Sequence, residues 1–449
     1  MEQHLMPDNG LDFSISSRAL LKYALPTILS SIFMNVYSLV DSLFVANLVG
    51  IDALSVVNIV GPALAVALAI GTMIATGGCA LVSKQMGAGD LRGARENFSF
   101  FVIFSFCVSL VFCLAGLVFR RPLLHLMGAD AALYPLCEAY AVPVFLIIPF
   151  AMIGMILQIF FVAAGVPELG FGLSLAGGVL NIALDYVLIR IADMGVAGAA
   201  VATGIGYSVQ TVVGAAYFLF RRNGSLCFVR PKWNGAALLK ACGNGMSEMV
   251  SMLAVSITMI AMNVILMDIS GSDGVAAAAV VLSVQTILSA VYMGYLEGIA
   301  PVISYNHGAG RSDRLKVIFR AALKTIAVMS MLTFAAAFPA AEPLARVYAS
   351  GSPHVMRLAV DGIRLFATAF LLMGFNMFAS SMFTALNDGV TSAILSFLRT
   401  LVFLLIPLLL LPRLWGVNGV WLSMPAAEAL AILVSVWYFR AKRTVYHYA

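Results

Sequence analysis

Two carboxylates fall inside long apolar stretches, each with a polar partner one helical turn away. Asp41 closes YALPTILSSIFMNVYSLVD, with Tyr37 four residues before it and Asn35 six before. Asp185 lies in LNIALDYVLI, with Asn181 again four residues before it. Residues four apart share one face of a helix, so each acid brings a phenol or an amide to its own side. Thr203 adds a hydroxyl from the next apolar stretch. Two acids in such company can hold one proton between them, because burial disfavours a carboxylate and a second carboxylate disfavours it further. The same oxygens suit a small hard cation, Na+ at Asp41 and Asp185. These residues leave proton and sodium open, and a structural polar network joining the three stretches is the alternative.

Three more acids, Glu248, Glu297 and Glu428, also fall in or at the edge of apolar stretches. An ionisable group in hydrocarbon is costly and needs a partner or a task. Glu297 and Glu428 are placed to neutralise an organic cation, the competing reading being a polar tie between their two stretches. Glu248 reads as interfacial. Met262, one of several methionines in its stretch, belongs to an adaptable lining for apolar ligands or to ordinary filler. Pro26, fifteen residues before Asp41, removes a backbone donor and permits a kink, so it is the expected hinge unless the bend is fixed.

The elements that must carry these residues follow from composition. Of 449 residues, 62% are apolar and 10% charged, against roughly a quarter charged in soluble domains. With a mean hydropathy of +1.00, a soluble enzyme, a disordered chain and a coiled coil are excluded together. Twelve spans are expected, near 20–47, 53–80, 98–119, 137–163, 171–191, 195–220, 241–268, 274–302, 320–340, 359–386, 391–411 and 417–440. Unpaired backbone is not tolerated in lipid, so these are helices. With the N-terminus inside, 18 Lys and Arg fall on that side, 7 on the other, and Arg399 lies within a span. That asymmetry puts both termini in the cytoplasm.

The net charge of +5 comes from short basic clusters between spans and does not point to nucleic acid. Residues Met1–Ser17 lack the basic start and apolar core of a cleaved leader. The six cysteines form no C-x-x-C pair, and the five histidines are scattered. No G-x-x-x-x-G-K-[ST], H-E-x-x-H or G-x-S-x-G motif occurs, so neither an enzyme nor a cofactor is expected.

The chain repeats itself at an offset of 221. Gly87-Ala88-Gly89 meets Gly308-Ala309-Gly310, Pro122-Leu123 meets Pro343-Leu344, and Gly195-Val196 meets Gly416-Val417. The intramembrane acids do not repeat: the counterparts of Asp41, Asp185, Glu297 and Glu428 are Met262, Ile406, Thr76 and Tyr207. Acids needed only for packing would be expected in both copies, so their asymmetry favours a task. The expected fold is an all-α polytopic membrane protein of twelve transmembrane helices in two six-helix lobes, 1–220 and 241–449. A cytoplasmic linker, 221–240, joins them, and a pseudo-two-fold axis along the membrane normal relates them.

Pro26, Tyr37 and Asp41 in span 1, Asn181 and Asp185 in span 5, Thr203, and the two G-A-G connections together resemble the multidrug and toxic compound extrusion (MATE) family. The connection SYNHGAGRSDR and the AAE ending at Glu428 are similar to its bacterial multidrug-export branch. The resemblance covers the whole chain. It implies a secondary antiporter of the cytoplasmic (inner) membrane working by alternating access. It would act as a monomer and export organic cations or amphipathic drugs in exchange for protons or sodium. It also implies that Tyr37, Asp41, Asn181, Asp185 and Thr203 form the coupling site. Some relatives place acids in spans 7 and 10, whereas span 10 here has only Asp361 at its edge. The rival reading is a flippase of a lipid-linked sugar or polar lipid in the same superfamily. That function calls for a strongly cationic cleft, and Arg399 is the one central base.

Overall fold

The computed structural model describes residues 10–49, 51–221, 224–349 and 352–449, so linker residues 222–223 lie outside it. Every regular element among the described residues is helical. In order these are α1 (Ser17–Leu48), α2 (Ile51–Gly87), α3 (Leu91–Val118), α4 (Arg120–Leu126), α5 (Tyr134–Ala163), α6 (Pro167–Asp185) and α7 (Gly195–Phe220). Then come α8 (Gly235–Gly308), α9 (Ser312–Ala349), α10 (Pro353–Ala367), α11 (Phe370–Ala385), α12 (Gly389–Phe397), α13 (Phe403–Trp415) and α14 (Val417–Tyr446). A π-helical segment, Tyr186–Ile191, extends α6, and another, Leu398–Val402, joins α12 to α13.

Among the described residues ten helices are long and apolar enough to cross a membrane. One of them, α8, has 74 residues and would measure about 110 Å, against a hydrocarbon core of about 30 Å. It is two helices meeting at Gly271, whose φ of 62° and ψ of −152° are open to glycine and strained for other residues. Dividing α8 there, and taking α10 and α11 as one crossing bent by 55°, gives the twelve expected spans. Aspartates and a serine set several helix starts. Asp90 accepts from the Gly93 amide at the head of α3, Ser352 from Val355 at α10, and Asp388 from Thr391 at α12.

The chain forms two compact units. One comprises residues up to Asp12 and Leu29–Gly245, the other Phe13–Ile28 and Met246–Ala449. Helix α1 therefore passes from one unit to the other two residues after Pro26, without interruption of the helix.

In the first unit α5 is the central helix and packs against α7, α2 and α3. An aromatic cluster closes one end of it: the Phe98 ring lies 4.9 Å from Phe160 and 4.8 Å from Phe218. Helices α6 and α7 meet backbone to backbone. A Cβ at Gly177 would lie 2.6 Å from the Gly206 carbonyl oxygen, so only glycine permits this approach. In the second unit α14 packs on α13, α10 and α11, with Trp421 fully buried against Gly362.

The repeat is visible in the backbone. Gly89 and Gly310 have φ of 84° and 66°, and Gly195 and Gly416 have φ of 54° and 56°. The two π-helical segments occupy the fifth and eleventh spans, which are counterparts in the repeat.

Candidate functional site

Four helices of the first unit bring the polar residues together. Asp185 is the last residue of α6, adjacent to the π-helical segment, and it is fully buried. Wider helical turns of this kind recur at functional sites. The Asp41 carboxyl adjoins that of Asp185, yet neither Asp185 oxygen accepts a hydrogen bond of ordinary geometry. The Asp41 Oδ1 atom is likewise unmatched. Tyr37, one turn earlier on α1, faces both acids and the Thr203 hydroxyl. Asn181 Nδ2 donates to Thr203 Oγ1 at 3.2 Å, and that hydroxyl donates to the Ala199 carbonyl at 3.0 Å. The five residues that the sequence singles out thus surround one point.

Two further phenols face the acids, Tyr140 from α5 and Tyr207 from α7. The sequence reading passed over both. Tyr207 follows Thr203 by one turn, a signal that could have found it; Tyr140 carries no such local spacing.

A cavity of about 10 Å³, roughly the room one water needs, lies beside Tyr37, Thr203 and Tyr207 and reaches Ser174 and Gln210. There a closed ring of side chains ties the four helices together. Gln158 Nε2 donates to Ser30 Oγ at 2.9 Å, Ser30 to Ser174 at 3.0 Å, and Ser174 to Gln158 Oε1 at 3.1 Å. Gln210 Nε2 also donates to Ser174 at 3.0 Å. A satisfied buried network of this kind rigidifies its surroundings. By contrast three of the four oxygens of the paired carboxyls have no hydrogen-bond partner, which in a buried site is costly until a proton or cation bridges them.

In the second unit Glu428 has charged and polar partners within its own unit. Arg399, from the π-helical segment, holds both Glu428 oxygens, Nε at 2.9 and 3.1 Å and Nη2 at 2.8 Å. Asn376 Nδ2 donates to Glu428 Oε2 at 2.7 Å, and Ser435 donates to Asn376 Oδ1 at 2.9 Å. Glu428 is therefore a neutralised, buried group tied to span 11, neither a free acid for a cation nor a tie to span 8. Glu297 is exposed although it lies mid-helix, and it interacts electrostatically with the half-buried Glu248. Met262 is 5% exposed, on the packed face of α8, whereas Met252 and Met259 lie on the open face. Asp361 is exposed on α10.

Comparison with known proteins places the chain's family and fold. The MatE family profile matches residues 26–187 and again 249–409, the second match starting 223 residues after the first, close to the offset of the repeat. The Multidrug export protein MepA of Staphylococcus saprophyticus is 26% identical over 95% of each chain. The fold is similar to that of the Vibrio cholerae MATE transporter VcmN, with a TM-score of 0.89 at 21% identity over 96% of this chain and 98% of that one. It is also similar to that of an outward-facing multidrug resistance MATE transporter of the MOP superfamily, with a TM-score of 0.92 at 20% identity over the whole of both. With one profile matched in each half and 323 residues covered between them, the chain belongs to the MatE family of membrane transporters.

Proposed function

We propose that this chain is an antiporter of the cytoplasmic membrane that exports organic cations or amphipathic drugs in exchange for protons or sodium. The observation that carries the reading is the buried Asp185, with neither oxygen hydrogen-bonded, adjoining Asp41. Such a pair binds a single positive charge well and is poorly stable without one. In the proposed cycle, loading of the pair from outside favours release of the drug, and unloading to the inside restores drug binding. One charge moved inward through 100 mV supplies about 2.3 kcal/mol, enough for roughly a fiftyfold gradient of a neutral drug. A monovalent drug cation exchanged one for one takes the same amount on its way out, so the concentration gradient of the ion then drives its export. Tyr37, Asn181 and Thr203 orient the pair, and Pro26 serves as the hinge. Its position supports that role, because α1 changes unit two residues later.

The exposed Glu297 beside Glu248 suits the positive group of a drug. The lobes are taken as 1–220 and 241–449, with both termini cytoplasmic and a single chain as the working unit. The name of the MepA relative supports multidrug export as the task. The flippase alternative is weakened by Arg399, whose charge is already matched by Glu428.

The test is ethidium efflux from energised vesicles, with pH and sodium gradients imposed separately. Asp41→Asn and Asp185→Asn are expected to abolish gradient-driven efflux while leaving a folded protein. Variants that export as well as the parent would remove the coupling assignment. The gradient that drives the parent identifies the ion.

A further inference from the structure

The first turn of α3 and the segment 229–232 wall a cavity of about 710 Å³, within the size range of ligand sites. Arg92, Arg95, Arg230 and Lys232 line it, with Glu96 as the one acid. Glu96 is taken twice over: its Oε1 pairs with Arg92 at 3.0 Å and with Lys232 at 3.2 Å. Arg95 gives its guanidinium to the backbone carbonyls of Gly224, at 2.7 Å, and Ser225, at 3.1 Å. Those bonds fix the group and leave its charge unmatched. Arg230 is exposed, and no carboxylate among the described residues pairs with it. The cavity therefore holds three positive charges in excess, one of them held in place by the backbone.

Its rim is apolar. Trp233 is 77% exposed and stands edge-on to Phe100, with ring centres 5.3 Å apart. From there α3 exposes Ile103, Phe106, Leu110 and Leu114, one continuous stripe at helical spacing. A basic cavity alone would accept any phosphate, and an apolar stripe alone is what every membrane helix shows to lipid. Here the two are contiguous on one helix, and a tryptophan stands at their boundary, the level favoured by interfacial aromatic residues. A bilayer whose interface meets Trp233 would set the charge at headgroup depth and the apolar stripe at acyl depth.

We propose that this is a binding site for one anionic glycerophospholipid, with its phosphate among Arg95, Arg230 and Lys232 and an acyl chain along α3. A lipid held there ties the segment 229–233 to the first turn of α3. An anionic headgroup gains about 1 kcal/mol, or fivefold in affinity, per basic residue near the surface.

The experiment measures lipid binding to the full purified chain by native mass spectrometry. Phosphatidylglycerol is compared with phosphatidylcholine of the same acyl chains and with inorganic phosphate alone. Phosphatidylglycerol is expected to bind in preference, and millimolar phosphate is expected not to displace it. The Arg230→Ala/Lys232→Ala variant should lose about thirtyfold in phosphatidylglycerol affinity with phosphatidylcholine unchanged. Arg443→Ala, which removes an exposed basic residue from α14, should lose none. The charge-keeping Arg230→Lys/Lys232→Arg variant should retain the parent's affinity.

Equal binding of the two lipids, or parental affinity in the double alanine variant, overturns the proposal. So does an equal loss with Arg443→Ala, which would mean unspecific surface charge. Displacement by phosphate would assign the cavity to a free anion, and loss in the charge-keeping variant would assign it to packing.

Discussion

Arg399 and Glu428 are 29 residues apart in sequence and make the best-matched ion pair among the described residues. Burying two charges gains little over an apolar pair, but removing one partner strands the other at a cost of about 3–5 kcal/mol. Glu428→Gln is therefore expected to lower the melting temperature of the detergent-purified chain sharply, while Arg399→Met with Glu428→Leu recovers most of it. A Glu428→Gln chain that melts like the parent yet fails to export would return this acid to the substrate pathway. The contrast with Asp41 and Asp185 shows what a sequence can reveal at this scale. Tyr37–Asp41 and Asn181–Asp185 are spacings within one helix, legible before any fold is known. The partnership of Arg399 with Glu428 is a tertiary contact with no local signature. The packed setting of Met262 was hidden for a related reason, since hydropathy alone does not say which side of a membrane helix is packed.

Among the elements, the short connection between α11 and α12 carries a titratable joint outside the membrane. Burial works against the charged form of Asp388. The Thr391 hydroxyl at 2.8 Å, the Lys442 ammonium at 3.1 Å, the Thr391 amide and the Tyr446 hydroxyl outweigh it and hold its carboxyl below the usual carboxylate range. A carboxyl with a depressed folded-state pKa contributes stability above its unfolded value, near 4, and loses it as pH falls through the lower folded value. Asp388→Asn keeps the helix cap and removes the charge that faces Lys442, so it should cost about 1 kcal/mol at pH 7, the upper end for a partly exposed ion pair. The gap between variant and parent should close as melting is followed below pH 4; a gap constant with pH would mean that the charge plays no part. Twelve spans and their repeat were legible because apolar length and Gly-Pro punctuation mark them directly. The two π-helical segments were not, since the wider turn is set by what the helix packs against. The passage of α1 from one unit to the other was equally hidden, although Pro26 marked the place within two residues.

For the whole molecule, one six-span plan was used twice and then given different charges. The first copy keeps an acid pair with three oxygens unmatched beside a hydroxyl-rich wall; the second closes its base with an acid. Orientation belongs to this scale as well, because it rests on a sum over all connections. With the six native cysteines replaced, Arg413→Cys should react with a membrane-impermeant maleimide added to intact cells, and Arg230→Cys only after the cells are opened. The reverse pattern would invert the proposed topology and exchange the direction of transport.

The glycines at 195, 271 and 416 carry a further consequence. At each the backbone takes a positive φ, and the chain turns from one crossing to the next over very few residues. In the proposed topology each joins two crossings on the side away from the basic connections. A protease or an antibody approaching these places meets tight turns between helix ends, with little slack chain to grip. Linear peptides copied from these turns are therefore expected to make poor immunogens.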